Sequence, residues 1–115
     1  MAIKIKRVYQ EPEAADGTRV LVDRLWPRGL SKEKAKVDTW LKEVAPSTEL
    51  RKWFAHDPKK WTKFQSRYLE ELKLHGEQLQ WLKHEAARGP LTLLYGARDE
   101  EHNEAIILLK LLGSK

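Results

Sequence analysis

The stretch Val20-Leu21-Val22-Asp23-Arg24-Leu25-Trp26-Pro27-Arg28-Gly29 most constrains what this chain can fold into. Its first three residues are β-branched or aliphatic with no polar alternation, as a strand covered on both faces requires. The apolar run then breaks into charge, an indole and a Pro/Gly turn. A strand hidden on both sides needs helices above and below it, which predicts an α/β protein with a mostly parallel sheet. In open sheets of that kind ligands bind outside the carboxyl ends of the strands. Asp23, Arg24, Trp26 and Arg28 therefore stand where a site is expected.

The same event recurs near the other end of the chain. Leu91-Thr92-Leu93-Leu94-Tyr95 is a short apolar run bounded by Gly89-Pro90 and Gly96, and it predicts a second central strand. It too breaks into polar chemistry, at Arg98, Asp99, His102 and Asn103. If the two strands run parallel, both clusters fall on one edge of the sheet.

The remaining pattern fits around these strands. Ile3 to Val8 alternates apolar with charged residues and predicts an edge strand with one wet face; Val37 to Leu41 predicts a third strand, interrupted by Asp38. Ser31 can cap a helical turn at Lys32 to Lys36, and Ser47 a helix that turns Leu50, Trp53 and Phe54 inward. Asp57-Pro58 launches a helix whose inner face is Trp61, Phe64, Tyr68 and Leu72. Gly76 interrupts it, and Leu79, Leu82 and Ala86 continue helically to Gly89-Pro90. Asp99 is placed to cap a last helix carrying Ala105, Leu108, Leu109 and Leu112 inward. The expected architecture is one layered α/β domain over residues 1–115, with about four strands, mostly parallel, flanked by helices.

Composition narrows the chemistry. The chain has no cysteine, so it has no disulfide, thiolate nucleophile or cysteine-bound zinc. It has no run of 18 apolar residues and no leader pattern, from which a cytoplasmic protein away from membranes is expected. The four histidines lack metal-ligand spacing, and the dinucleotide, nucleoside-triphosphatase and esterase signatures are missing, so neither a metal nor a cofactor is expected. Net charge is +5. Residues 1–36 hold nine lysines and arginines against five acids, and Arg19, Arg24 and Arg28 are expected to flank the strand exit.

These residues suggest an anion site. Arginine presents forked donors that match phosphate or carboxylate, so Arg24, Arg28 and Arg98 are candidate ligand holders, with Trp26, Tyr95 and Asn103 beside them. Asp23, Asp99 and His102 are candidate proton acceptors or orienting groups in a catalytic role, and His56 is a further residue that could reach the crevice. Each has a structural alternative: Asp99 as a helix cap, Asp23 and Arg24 as partners of scaffold charges, the arginines as stackers on aromatic rings. The leading functional reading is an anionic small molecule held at this edge. The alternative is a nucleic-acid-binding module using a basic face and Trp26, and a third is a protein-interaction domain marked by an exposed apolar patch.

The blocks VLVDRLWPRGLSKE, WLKEVAPSTELRKWFAHDPKKW and LTLLYGARDEEHNEA closely resemble, in order and over nearly the whole chain, the YeaO-like branch of the domain of unknown function 488 family. The resemblance implies a small α/β protein and gives weight to the same strand-exit blocks. It implies no substrate. Longer relatives carry cysteines where Tyr95 and Asn103 stand here, so any thiol role in those relatives is closed to this chain.

Overall fold

The computed structural model describes residues 2–113, which build a four-stranded, all-parallel sheet in the order β1-β4-β2-β3. The strands are β1 (Ile3–Arg7), β2 (Thr18–Leu21), β3 (Thr39–Trp40) and β4 (Leu91–Tyr95). The two apolar runs singled out in the sequence pair directly at the centre, Val20 opposite Leu93 and Leu21 opposite Leu94. The alternating run Ile3–Arg7 is at one edge, as its pattern predicts, and two-residue β3 closes the other.

Five helices surround the sheet: α1 (Lys32–Ala35), α2 (Thr48–Phe54), α3 (Trp61–Leu72), α4 (Gly76–Arg88) and α5 (Glu104–Gly113). Ser31 and Ser47 cap α1 and α2 through their hydroxyls, which accept the N–H groups of Lys34 and Leu50. Asp57 caps a single 3-10 turn that leads into α3. At the last helix the sequence expectation needs correction. Asn103, not Asp99, is the cap: its Oδ1 accepts the Ile106 N–H at 3.1 Å and its amide donates to the Asp99 carbonyl. Asp99 instead closes the preceding turn by accepting the N–H groups of Glu101 and His102.

The pleat divides the interior into two layers. Ile3, Ile5, Val20, Leu91, Leu93 and Tyr95 point to the face covered by α2 to α5, where Phe54, Phe64, Tyr68, Leu72, Leu82, Leu108 and Leu112 complete the main core. Full burial of one such leucine or phenylalanine stabilises the fold by about 1.5–3 kcal/mol. Tyr68 satisfies its hydroxyl in this apolar setting by donating to the Val44 carbonyl. On the other face Val8, Leu21, Leu94 and Ala35 form a smaller core sealed by Trp26, Leu30, Val37 and Trp40.

That second face also holds an ion cluster that no sequence pattern announced. Asp16 is fully buried, and Lys4, Lys6 and Arg19 bring cations to its carboxylate at 2.9, 3.2 and 2.5 Å. Arg19 does not flank the strand exit, as its neighbourhood in sequence suggested. It lies in the first half of β2 and is itself buried, donating to the Lys36 and Ala35 carbonyls as well. Burial alone would raise the Asp16 pKa. Lys4, the Glu13 N–H, Lys6 and Arg19 outweigh it and hold the carboxyl well below its usual range.

Candidate functional site

Because β2 and β4 are parallel neighbours, their exits meet. The Asp23 carboxylate, just past β2, accepts the Gly96 N–H, just past β4, at 2.8 Å. Glycine suits this close approach: a Cβ at position 96 would lie 3.0 Å from the Asp23 oxygen, which would have to shift. Arg7, at the end of β1, ties the same corner down by donating to the carbonyls of Ala97 and Gly96. Trp40 donates its indole N–H to the Asp23 carbonyl at 2.8 Å. The strand exits are thus held from both flanks.

Over this corner opens a cavity of about 420 Å3. Asp23, Arg24, Trp26 and Arg28 line it from the first block, and His102, Asn103 and Glu104 from the second. The α2–α3 region adds Arg51, Phe54, His56 and Phe64. His56 therefore reaches the crevice. It does so in a left-handed backbone conformation (φ 57°) directly after another at Ala55 (φ 45°), a pairing that non-glycine residues rarely adopt.

Two of the expected ligand residues lie elsewhere. Tyr95 turns into the main core on the face opposite to Lys4 and Lys6 of β1, and its ring is buried. Arg98 is exposed and does not line the cavity. Asp99 is also outside the lining, but it positions a residue that is inside: its Oδ2 lies 2.9 Å from His102 Nδ1, while Trp61 meets the same imidazole edge-on at 5.2 Å. The backbone N–H of Glu101 and the His102 side chain lower the Asp99 pKa.

The arginines divide by what they already hold. Arg24 spends Nε and one terminal nitrogen on the Pro46 and Ala45 carbonyls, so it braces the loop before α2. The guanidiniums of Arg28 and Arg51 make no hydrogen bond or ion pair among the described residues, and both side chains are exposed at the cavity. Trp26 is not the exposed stacker that its loop suggested. It is partly buried, its N–H donates to the Leu30 carbonyl, and it packs edge-on against Trp40 at 5.4 Å.

Glu104 and Arg51 are the charged lining residues that sequence reasoning missed. Glu104 opens α5 one turn before Leu108, hence on the same inward stripe, and this spacing was the available signal. Burial, reinforced by the charge of Asp23 and a hydrogen bond to it, pushes the Glu104 carboxyl well above the usual carboxylate range. Opposite this pair, Phe54 and Phe64 stack at 4.3 Å and continue to Trp61 and His56, an aromatic wall. No group of three histidine, aspartate or glutamate side chains among the described residues is placed to hold a metal ion. None of the described helices is long and apolar enough to cross a membrane.

Fold and site together define a small parallel α/β protein with a mixed-charge, aromatic-walled pocket at the carboxyl edge of its sheet. Residues 2–115 match the model described as the inactive DUF488-N3 subclade, and the chain belongs to that family. It is similar to the uncharacterized protein YeaO of Escherichia coli (strain K12), 46% identical over 114 residues that cover 99% of each chain. It is also similar to the uncharacterized protein Rv3073c of Mycobacterium tuberculosis (strain H37Rv), 39% identical over 113 residues, 98% of this chain and 95% of that one. No solved structure matches it.

Proposed function

We propose that the cavity binds an anionic small molecule, its phosphate or carboxylate held by Arg28 and Arg51. The observation that carries this reading is the pair of guanidiniums without a protein partner at the mouth of a cavity where both strand exits converge. A guanidinium in that position keeps its forked donors free for a bidentate contact with a phosphate or carboxylate. Arg24 supports them from a fixed position, and Asp99 fixes the imidazole of His102 toward the same space. Binding is favoured over catalysis: Asp23 is engaged by Gly96 and Glu104, and the family is described as inactive.

The test is thermal unfolding of the intact protein against inorganic phosphate, sugar phosphates and small dicarboxylates, alongside Arg28→Ala and Arg51→Ala. A ligand at a hundredfold excess over its dissociation constant stabilises the folded state by about 2.7 kcal/mol. The expected result is a stabilising anion whose effect is lost in both variants. If every anion leaves the midpoint unchanged, or if the variants respond like the parent, the reading fails.

A further inference from the structure

Granting that anion reading, we infer that the molecule taken up is a nucleoside phosphate, with its base beside the Asp23–Glu104 pair and its phosphate at Arg28 and Arg51. The carboxyl pair sets the chemistry of the inner end. Asp23 and Glu104 both line the cavity, and Asp23 accepts the Gly96 N–H; burial and the neighbouring charge of Asp23 favour the protonated form of Glu104. What the pair still offers a ligand is oxygen lone pairs, so the matching groups are N–H and O–H donors. Carboxylates of this kind read the exocyclic amine of a base such as cytosine. A sugar phosphate brings hydroxyl donors to the same oxygens but no flat ring, and a simple carboxylate brings neither.

The walls agree. Phe54 and Phe64, core rings stacked on each other at 4.3 Å, back the exposed ring of His56, 6.1 Å from Phe54, which gives the cavity an aromatic surface for a flat heterocycle. The segment that supplies these rings is also the most cationic of the chain: residues 51–67 carry six lysines and arginines against Asp57 alone. A donor-reading carboxyl pair, an aromatic wall and unpaired guanidiniums meet in one cavity, and a nucleotide carries a matching group for each. The same chemistry comes from a free nucleotide or from a nucleotide within a single strand, and the cationic segment makes the second source as testable as the first.

The experiment is calorimetric titration of the intact protein with the four ribonucleoside 5′-monophosphates, ribose 5-phosphate, inorganic phosphate and a short mixed-sequence single-stranded oligonucleotide, at low and high salt. It is repeated on Glu104→Ala and on the exposed-site variant Arg28→Ala. Adenine, guanine and cytosine nucleotides should bind about tenfold or more tightly than ribose 5-phosphate, with uracil between them. Glu104→Ala should narrow that gap, and Arg28→Ala should weaken every phosphate probe.

An oligonucleotide that outbinds the monophosphates and weakens steeply with salt would give the single strand as the source; equal or weaker binding would give the free nucleotide. Ribose 5-phosphate or phosphate binding as tightly as any nucleotide overturns this inference and leaves the anion reading standing. Silence from every probe overturns this inference, and the anion reading then stands or falls on the dicarboxylates of the thermal screen. Should Glu104→Ala not fold, the comparison between nucleotides and ribose 5-phosphate on the parent protein still decides.

Discussion

Asp23 Oδ2 accepts the Gly96 N–H at 2.8 Å, a bond between residues 73 positions apart that joins the exits of the two central strands. The contact exists because the sheet is parallel and because residue 96 has no side chain. Gly96→Ala would place a methyl group 3.0 Å from the Asp23 oxygen, on a carboxyl that is already held by Glu104. The carboxylate must then give way. Overpacking of this kind costs about 1–3 kcal/mol, and the displaced Asp23 takes the inner end of the cavity with it. Chemical denaturation should show the loss of stability, and the same variant should bind any ligand of the parent protein more weakly. An alanine variant as stable and as competent as the parent would mean that this corner is looser than the bond implies.

Glu104 predicts a pH dependence with a definite sign. Its folded-state pKa lies well above the ordinary 4.5, so the folded protein retains a proton that the unfolded chain releases. Stability from this group is present below the ordinary carboxylate pKa and is lost as pH rises toward the folded value, by up to about 1.4 kcal/mol per pH unit in that window. Glu104→Gln keeps the shape, carries no charge to remove and donates its amide to Asp23. It should therefore stabilise the protein at about pH 8 more than at about pH 5. Parallel midpoints of parent and variant across that range would contradict the shared proton.

Asp16 predicts the opposite slope. Its carboxyl is held below its ordinary value of 3.8 by Lys4, Glu13, Lys6 and Arg19 against the opposing effect of burial. Its contribution is present above that ordinary value and is lost as pH falls through it toward the folded value. Asp16→Asn leaves Arg19 buried with its charge uncompensated, which costs about 3–5 kcal/mol. It should also flatten the acid limb of the stability curve, measured by denaturant titration from neutral pH down to about pH 2. A loss under about 1 kcal/mol would show that the carbonyls of Lys36 and Ala35 suffice to hold Arg19.

Much of the fold was legible because local signals and global packing agreed. The unbroken apolar runs at Val20–Val22 and Leu91–Tyr95 are the two central strands, and Ser31, Ser47 and Asp57 cap where their hydroxyl or carboxylate suggested. Less was legible where a side chain's role depends on what the topology brings alongside it. Arg19 looks like a strand-exit cation until Asp16 and the two lysines of β1 close around it. Tyr95 belongs to a polar block in sequence but to the core by the two-residue period of its strand, which places it with Leu91 and Leu93. Glu104 and Arg51 were hidden for the converse reason, as charged residues of a kind that ordinarily faces water, although Glu104 shares the inward stripe of Leu108. Only the convergence of α2 and α5 over the sheet edge turns them into one site.

The start of α5 is where two readings of one motif can be separated. Asp99 and Asn103 are both common caps, and sequence favours Asp99 as the first cap-forming residue after the turn. The geometry gives the cap to Asn103, which is buried, accepts the Ile106 N–H and donates to the Asp99 carbonyl; Asp99 holds the turn and the His102 ring. Asn103→Ala removes both bonds at a buried position and should cost about 1–2 kcal/mol, with loss of protection of the first α5 amides in hydrogen exchange. Asp99→Ala should leave the Ile106 amide protected while the His102 imidazole loses its fixed orientation, visible as a loss of ring-proton contacts to Trp61 in NMR. If Asp99→Ala exposes the α5 amides and Asn103→Ala does not, the cap belongs to Asp99 after all.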